Sequence, residues 1–460
     1  LKVALLYPYV KNSLNGCDPP ISVLYLAAAL QQAGQDVTVI DVDDGNLSNS
    51  DIVKKVAEYG PDLVGMPLFS ARLPRAYKLV ELLDPKANGW KIVLGGPHAT
   101  ARPEEVLKVF DKCDYVLRSE SDRSLVELVE CLNGRSPDTV NGLSFRDGDK
   151  IIHNPDAPLI RDLDTIPLPA RELLADAYNR EVYWRMGHRG ITDVVITSRG
   201  CPYRCNFCFQ VSKKFRARSA ENIMEELVQI RSRGIKNVHI LDDLFVFNKP
   251  RCLKILGMIK EQKLGMEFKV RARVDRIDEE LLAAMKESGV VAVVYGIESG
   301  SQKILDNMNK RTTVEMNYKA IEMTKKAGLQ CYADVFIGYL GETPDTIAET
   351  EELLVKAKPT AVNLGVMYPL PSTTVYDQAS EQGVLIGDWD VQGTRPWIKL
   401  PWIDDLRPLF KIRHRIHRKY LLQPAVIFNA ARLMLPRVSL RQFGILVRYF
   451  FTVLKVSLKR

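Results

Sequence analysis

The sequence predicts an α/β protein built from a doubly wound sheet of five parallel strands, a partial barrel of six βα units and a basic helical C-terminal region. Three observations carry this. Short β-type runs alternate with amphipathic stretches up to about residue 133; the rhythm resumes at 191 after an interval rich in Pro, Asp and Gly; and residues 406–460 hold thirteen Lys or Arg and no acid. The expected divisions are 1–133, a linker over 134–190, the barrel over 191–400 and the helical region over 401–460.

In the first region the strands read VALLY, DVTVID, DLVGM, KIVLGG and DYVLR, each followed by a helical stretch. Ligands of such sheets sit beyond the carboxyl ends of the strands. Here those ends are the loops Pro8 to Pro20, Asp41 to Asn46, Pro67 to Arg72, Gly95 to Thr100 and Ser119 to Asp122. In the linker, GLSFRDGDKIIH carries a brief hairpin signal. The barrel strands read DVVIT, NVHIL, FKVRA, VAVVYG, YADVFIG and AVNLGVM. Six units without two more leave a barrel open, and barrel chemistry sits on the loops after the strands.

At 460 residues the chain is long enough for two or three domains with substantial cores, and its apolar and charged fractions, 46 % and 26 %, exclude disordered and fibrous classes. The net charge of +8 belongs to the tail, and the rest carries −5, so no nucleic-acid partner is expected. No run approaches the roughly eighteen apolar residues of a membrane span. The opening LKVALLYPYV reads as a strand and lacks the marks of a signal peptide, so a cytoplasmic protein is expected. Eight cysteines are too sparse for a disulfide framework, and five of them (Cys17, Cys113, Cys131, Cys252, Cys331) are scattered.

The other three form Cys201-Pro-Tyr-Arg-Cys205-Asn-Phe-Cys208, directly after the first barrel strand. Three thiolates in one tight loop, with no fourth Cys or His nearby, suit an iron-sulfur cubane with one open iron, which can chelate S-adenosylmethionine (SAM). A structural zinc site is the alternative and would want a fourth ligand.

This motif, its place after a strand and the six-unit rhythm resemble the radical SAM superfamily, and the preceding domain resembles the Rossmann-like cobalamin-binding module of one of its branches. The likeness covers roughly residues 1–400. It implies a [4Fe-4S] cluster on Cys201, Cys205 and Cys208, with SAM and cobalamin as further cofactors. It also implies that Phe207 lies against adenine, and that Asp242 and Asp243 lie near the methionyl amine. Arg273, Glu298, Ser299 and the turn from Gly338 to Thr343 are then contacts for carboxylate, ribose or adenine. Read without the resemblance, Glu298 is a turn or capping acid and Arg273 a surface ion pair. Asp242 and Asp243 also read as paired carboxylates for acid/base work, although adjacent strand residues point to opposite faces.

For cobalamin, the loops PYVKNSLNGCDPP, MPLFSA and LGGPHAT resemble those that clasp the cofactor. The implied contacts are Pro8, Asp41, Phe69, Ser70, Gly95, Gly96, Pro97, His98 and Glu120, with the lower face of the corrin over Leu68 to Arg72. His98 lacks the D-x-H-x-x-G context of an axial ligand and reads more simply as a loop hydrogen-bonder. Relatives often show Gly-Glu-x-Glu after the fifth strand where this chain has Ser119-Glu120-Ser121-Asp122. A domain that has lost its cofactor is the alternative.

The resemblance implies an enzyme that cleaves SAM to a deoxyadenosyl radical, abstracts hydrogen from an unactivated carbon and transfers a methyl group from cobalamin. A cyclising, rearranging or carbon-carbon coupling enzyme of the same architecture is the alternative, and a non-catalytic cobalamin or SAM sensor a third. Such chemistry needs an external low-potential electron donor. Trp389, Trp397 and Trp402 read either as a cover over a hydrophobic small-molecule or lipid substrate or as a packing plug. In the tail, Phe443, Leu446, Val447, Phe450, Phe451 and Leu454 share one helical face, with Arg441, Arg448, Lys455 and Lys459 on the other. That helix, with the cluster KIRHRIHRKY at 411–420, either docks on the protein or makes peripheral membrane contact.

Overall fold

The computed structural model describes residues 1–8, 16–41, 47–186, 188, 190–439, 442–445 and 447. Strands β1 (Lys2–Tyr7), β2 (Asp36–Asp41), β3 (Leu63–Pro67), β4 (Lys91–Gly95) and β5 (Tyr115–Leu117) pair in parallel in the order β2-β1-β3-β4-β5. Helices cover both faces, which is why runs such as Val3 to Leu6 are buried on alternate sides alike. The order reverses between β1 and β3, so the crevice of this sheet opens over Tyr7 and Phe69, whose rings meet edge-on at 6.1 Å.

The interval after 134 is more than a linker. Its hairpin, β6 (Leu143–Asp147) and β7 (Lys150–His153), adds two antiparallel strands to β5 and extends the sheet to seven. The short strand β5 would otherwise leave an open edge, and the hairpin covers it. From Asn154 onward the chain crosses to the barrel and buries Arg171, Tyr178 and Tyr183 there.

Strands β8 (Thr192–Val195), β9 (Asn237–Ile240), β10 (Glu267–Ala272), β11 (Val290–Glu298), β12 (Gln330–Ile337) and β13 (Ala361–Val366) pair in sequential parallel order, open between β8 and β13. The helices that follow begin on Ser219, Asn248, Asp278, Thr313 and Thr343, each accepting a backbone N–H as N-cap. Alternation sorts each strand: Phe268, Val270 and Ala272 of β10 are buried in the core, while Lys269 and Arg271 take the inner face.

The C-terminal helix Arg407–Leu421 buries Leu409, Ile416 and Tyr420 on the barrel. Arg415 and Lys419 of its basic cluster pair with Glu351 at 3.1 and 2.6 Å, so this part of the tail is docked on the protein. Most of the amphipathic stretch from 441 to 459 lies outside the described residues. Among the described residues no helix is long and apolar enough to cross a membrane.

A buried ionic network ties the interval to the barrel. Arg171 is 3 % exposed and bonds Asp193 at 2.9 Å and Glu226 at 2.6 Å, both fully buried, and Arg218 also pairs with Glu226. Tyr178 donates to Asp193 at 3.0 Å, and Arg218 donates to Tyr25 of the first domain at 3.1 Å. Removing one partner strands the other charges without water. Arg171→Ala should therefore cost about 3–5 kcal/mol in a denaturant titration; a loss below about 1 kcal/mol would mean that water relieves the site.

Candidate functional site

After β8 the chain forms a two-stranded ribbon, Ser198–Arg199 against Arg216–Ala217, that closes the base of the cysteine loop. Gly200 enters this loop at φ 83°, and a Cβ there would collide with the carbonyl oxygen of Lys214, so the turn into Cys201 requires glycine. The Cys201 N–H donates to Ser212 O at 3.3 Å and the Cys208 N–H to Cys205 O at 3.1 Å. A turn after β11 clamps the loop from outside. The Asn206 N–H donates to Met308 O at 2.9 Å, its side-chain amide to Asn307 O at 2.9 Å, and the Asn309 amide to Arg204 O at 2.8 Å. Backbone and amide bonds thus hold the loop, and none of its cysteines is in a disulfide.

Cations stand beside those thiols. The buried guanidinium of Arg273 stacks 3.6 Å from the centre of the Tyr203 ring and brings Nη1 to 3.9 Å from Cys205 Sγ. Lys310 pairs with Glu298 at 2.7 Å and lies 5.8 Å from the Phe207 ring centre. Cys201 is half-buried, and this burial raises its thiol, with Asp243 and Cys205 adding to the shift and Arg273 opposing it; metal ligation is what removes such a proton. Among the described residues no three His, Cys, Asp or Glu side chains converge on one ion. A cubane asks for something else, three thiols bordering one space with each on its own iron.

The walls of that space are aromatic, Phe207 meeting Phe336 edge-on at 5.2 Å. Glu298 ends β11 at φ 61°, where the register with β12 slips. A left-handed backbone costs a residue of this type about 1–2 kcal/mol, and its ion pair with Lys310 holds it there. On the other side, Phe69, Ser70, Gly95, Gly96 and Pro97 form a half-buried rim along the ends of β3 and β4. The two sides are fastened together: Arg199 grips Asp122 at 2.8 and 3.0 Å, and Arg216 grips Glu120 at 2.8 Å.

Comparison with known proteins agrees with this layout. Residues 195–354 match the model of the radical SAM superfamily, and residues 9–129 match the B12 binding domain. An uncharacterised methyltransferase of Pyrococcus horikoshii is 32 % identical over 90 % of this chain and 88 % of its own length. This chain belongs to the radical SAM enzymes that carry a B12-binding domain. The anaerobic magnesium-protoporphyrin IX monomethyl ester cyclase of Rubrivivax gelatinosus is 27 % identical over 83 % of this chain and 70 % of its own. The structure of the radical SAM methyltransferase TsrM from Kitasatospora setae, with cobalamin and a [4Fe-4S] cluster bound, has the same fold. It matches at a TM-score of 0.75 and 16 % identity, over 92 % of this chain and 91 % of that one.

Radical SAM enzymes of this kind work with a [4Fe-4S] cluster, SAM and cobalamin, and the residues fit those groups. Three free thiols on a prebuilt loop suit the cluster. The bare backbone at Gly95 and Gly96, flanked by Phe69 and Pro97, suits a broad, largely apolar ring. At Gly96, φ 84°, a Cβ would lie 3.1 Å from the backbone of Leu68. Two of the expected cobalamin loops lie partly outside the described residues, at 9–15 and 42–46.

Several expected contacts have other tasks. Asp242 is buried, and its carboxylate accepts from the Thr197 N–H at 2.6 Å and the Ser198 hydroxyl at 2.7 Å, fastening β9 to the end of β8. Its neighbour Asp243 is the acid left beside the loop, accepting from the Gly200 N–H at 3.1 Å. The two carboxylates thus have different partners instead of facing each other. Ser299 is buried against Thr350 at 3.1 Å, and Arg273 is committed to Asp275, Lys310 O and Cys205. Pro8 is buried, and Asp41 accepts from the Tyr183 hydroxyl at 2.9 Å. His98 is buried with Nδ1 3.0 Å from Ser70 Oγ; burial pushes it down to about 4, leaving it neutral. Glu120 pairs with the ribbon arginines. Gly338, at φ 92°, donates its N–H to the buried Glu342.

The three tryptophans have packing or backbone contacts of their own. Trp389 packs into the first domain's core with Nε1 on Pro369 O at 2.7 Å, Trp402 donates to Glu342 O at 2.9 Å, and Trp397 sits in a small hairpin opposite Ile386. The asparagine clamp was not visible in the sequence, because its partners are backbone atoms about a hundred residues away.

The Gly200 turn is the most exposed dependency of the loop. Gly200→Ala adds the left-handed strain of about 1–2 kcal/mol to the collision with Lys214. Anaerobic reconstitution of this variant should recover well under half of the wild-type iron while cobalamin uptake stays unchanged. Wild-type iron content would contradict the role given to this turn.

Proposed function

We propose that this chain methylates an unactivated carbon of a small-molecule substrate held between its two domains, with Cys201, Cys205 and Cys208 as the thiolate anchors of the cluster. One observation carries the reading: the ribbon under the cysteine loop is bonded through Arg199 and Arg216 to Asp122 and Glu120, at the end of β5. Both cofactor sites therefore border one space. When bound, cluster and SAM supply a hydrogen-abstracting radical, and cobalamin supplies a transferable methyl group.

The chain's own residues prepare that space. Arg273 holds the loop by joining Cys205 to the Lys310 carbonyl, and Lys310 balances Glu298. Phe207 and Phe336 keep water from the reacting carbon. Asp243, which accepts from the Gly200 N–H, offers a carboxylate beside the loop that suits an ammonium such as the methionyl amine of SAM. At Gly338, φ 92°, a Cβ would press on Leu409 at 2.9 Å, so the turn after β12 requires glycine. The methyltransferase relative from Pyrococcus horikoshii supports methyl transfer over the alternative. Ring closure without methyl transfer is supported by the likeness to the cyclase of Rubrivivax gelatinosus. An external low-potential electron donor belongs to either reading.

The two readings differ in what becomes of SAM. Incubated anaerobically with reductant, cobalamin, SAM and a metabolite extract, a methyltransferase forms both S-adenosylhomocysteine and 5′-deoxyadenosine, and a trideuteromethyl label from SAM enters a product. Deoxyadenosine without S-adenosylhomocysteine would replace methylation with ring closure or coupling. Neither product, with all cofactors bound, would leave a sensor.

A further inference from the structure

Alternate residues of a strand share a face, so KVRAR on and just beyond β10 sets Lys269, Arg271 and Arg273 in one column, its upper member touching Cys205. At about 3.3 Å per residue, Lys269 stands roughly 13 Å down the strand from Arg273. On β12, Tyr332, Asp334 and Phe336 alternate with the core residues Cys331, Ala333, Val335 and Ile337, and Phe336 reaches Phe207 of the cysteine loop. Asp18 of the first domain and Arg185 of the crossing segment reach the same lumen and bond each other at 2.6 Å.

The charges in this lumen do not balance. Asp18 is taken by Arg185 and lies 3.7 Å from His239, too far for a hydrogen bond. Burial pushes His239 down to about 4, so the ring is neutral. Asp334 is 3.5 Å from Arg271, whose side chain is 45 % exposed, and also accepts from Asn363 at 3.3 Å. Lys269 has neither hydrogen bond nor ion pair among the described residues, and its contact is the Tyr332 ring at 4.2 Å. Burial, with Arg185 and Arg271 nearby, holds its ammonium down toward about 7, and Asp18 and Asp334 oppose this. Lys269 is half-buried on the inner face and has no counter-ion of its own among the described residues, and an anion arriving with a ligand would supply one.

We propose that the substrate carries an oxyanion, a carboxylate or a phosphate, that docks on Lys269 and Arg271. Tyr332, Phe336 and Phe207 then flank its carbon skeleton between that anchor and the cluster loop. The proposal rests on the lumen being the reaction chamber and names the class of substrate it takes.

Protein loaded with cluster, hydroxocobalamin and SAM is titrated calorimetrically with phenyl phosphate and with phenylacetate, as wild type, Lys269→Met and Arg271→Met. At least one probe should bind wild type saturably, and each substitution should weaken it by about tenfold or more, with iron, cobalamin and SAM content unchanged. The tighter probe identifies the anion. The proposal is overturned if neither probe saturates, if the variants bind like wild type, or if the substitutions release SAM, which would make the column a cofactor site. A wild type that takes up no cluster or cobalamin overturns the chamber reading itself, and is seen before any probe is added. Because methionine removes an uncompensated charge, Lys269→Met should melt at or above the wild-type temperature. A lower midpoint would reveal an internal partner for Lys269 and contradict the proposal.

Discussion

The arginine bridges at the ribbon Ser198–Arg199/Arg216–Ala217 are the constraint on which the rest of the molecule depends. On one side Arg199 and Arg216 reach Asp122 and Glu120 at the end of the first sheet, and on the other the ribbon becomes the cysteine loop. Behind it, Arg171, Asp193, Glu226 and Arg218 form a desolvated network in which every charge has a partner. Such ions add little net stability but strongly penalise any arrangement that separates them. They fix how the two domains face each other, and chemistry shared between two cofactors needs that fixed relation more than it needs extra stability.

Within that frame Gly200, the backbone bonds of Cys201 and Cys208 and the clamp from residues 307–309 decide where the thiols lie. Around them Arg273, Lys310 and Glu298 form a second layer, with strained backbone at Glu298 held by its ion pair. The same column of cations continues downward as Arg271 and Lys269, so one strand serves the loop above and the chamber below.

The fold was legible because burial follows period: β-type runs between amphipathic helices leave one reading, and the spacing of Cys201, Cys205 and Cys208 leaves little else for the site. What could not be read was which member of an adjacent pair faces the chamber. Asp242 and Asp243, or Glu298 and Ser299, look interchangeable in sequence, and the choice rests on Thr197, Ser198 and Thr350, which lie far along the chain. The hairpin in the interval was signalled, but its docking on β5 depends on an edge that only the assembled sheet creates. At Ser119, where relatives often have glycine, the backbone keeps the glycine-like φ of 67°, and its N–H donates to Thr100 at 2.9 Å.

The central claim is that two cofactors are carried independently on one rigid frame. The most direct measurement is the iron and cobalamin content of anaerobically reconstituted wild type beside a variant with alanine at Cys201, Cys205 and Cys208, after gel filtration. The account predicts about four irons and one cobalamin per wild-type chain, and a triple variant that loses the iron but keeps the cobalamin. Iron that persists in the triple variant, or cobalamin that fails to stay on the wild type, would contradict it.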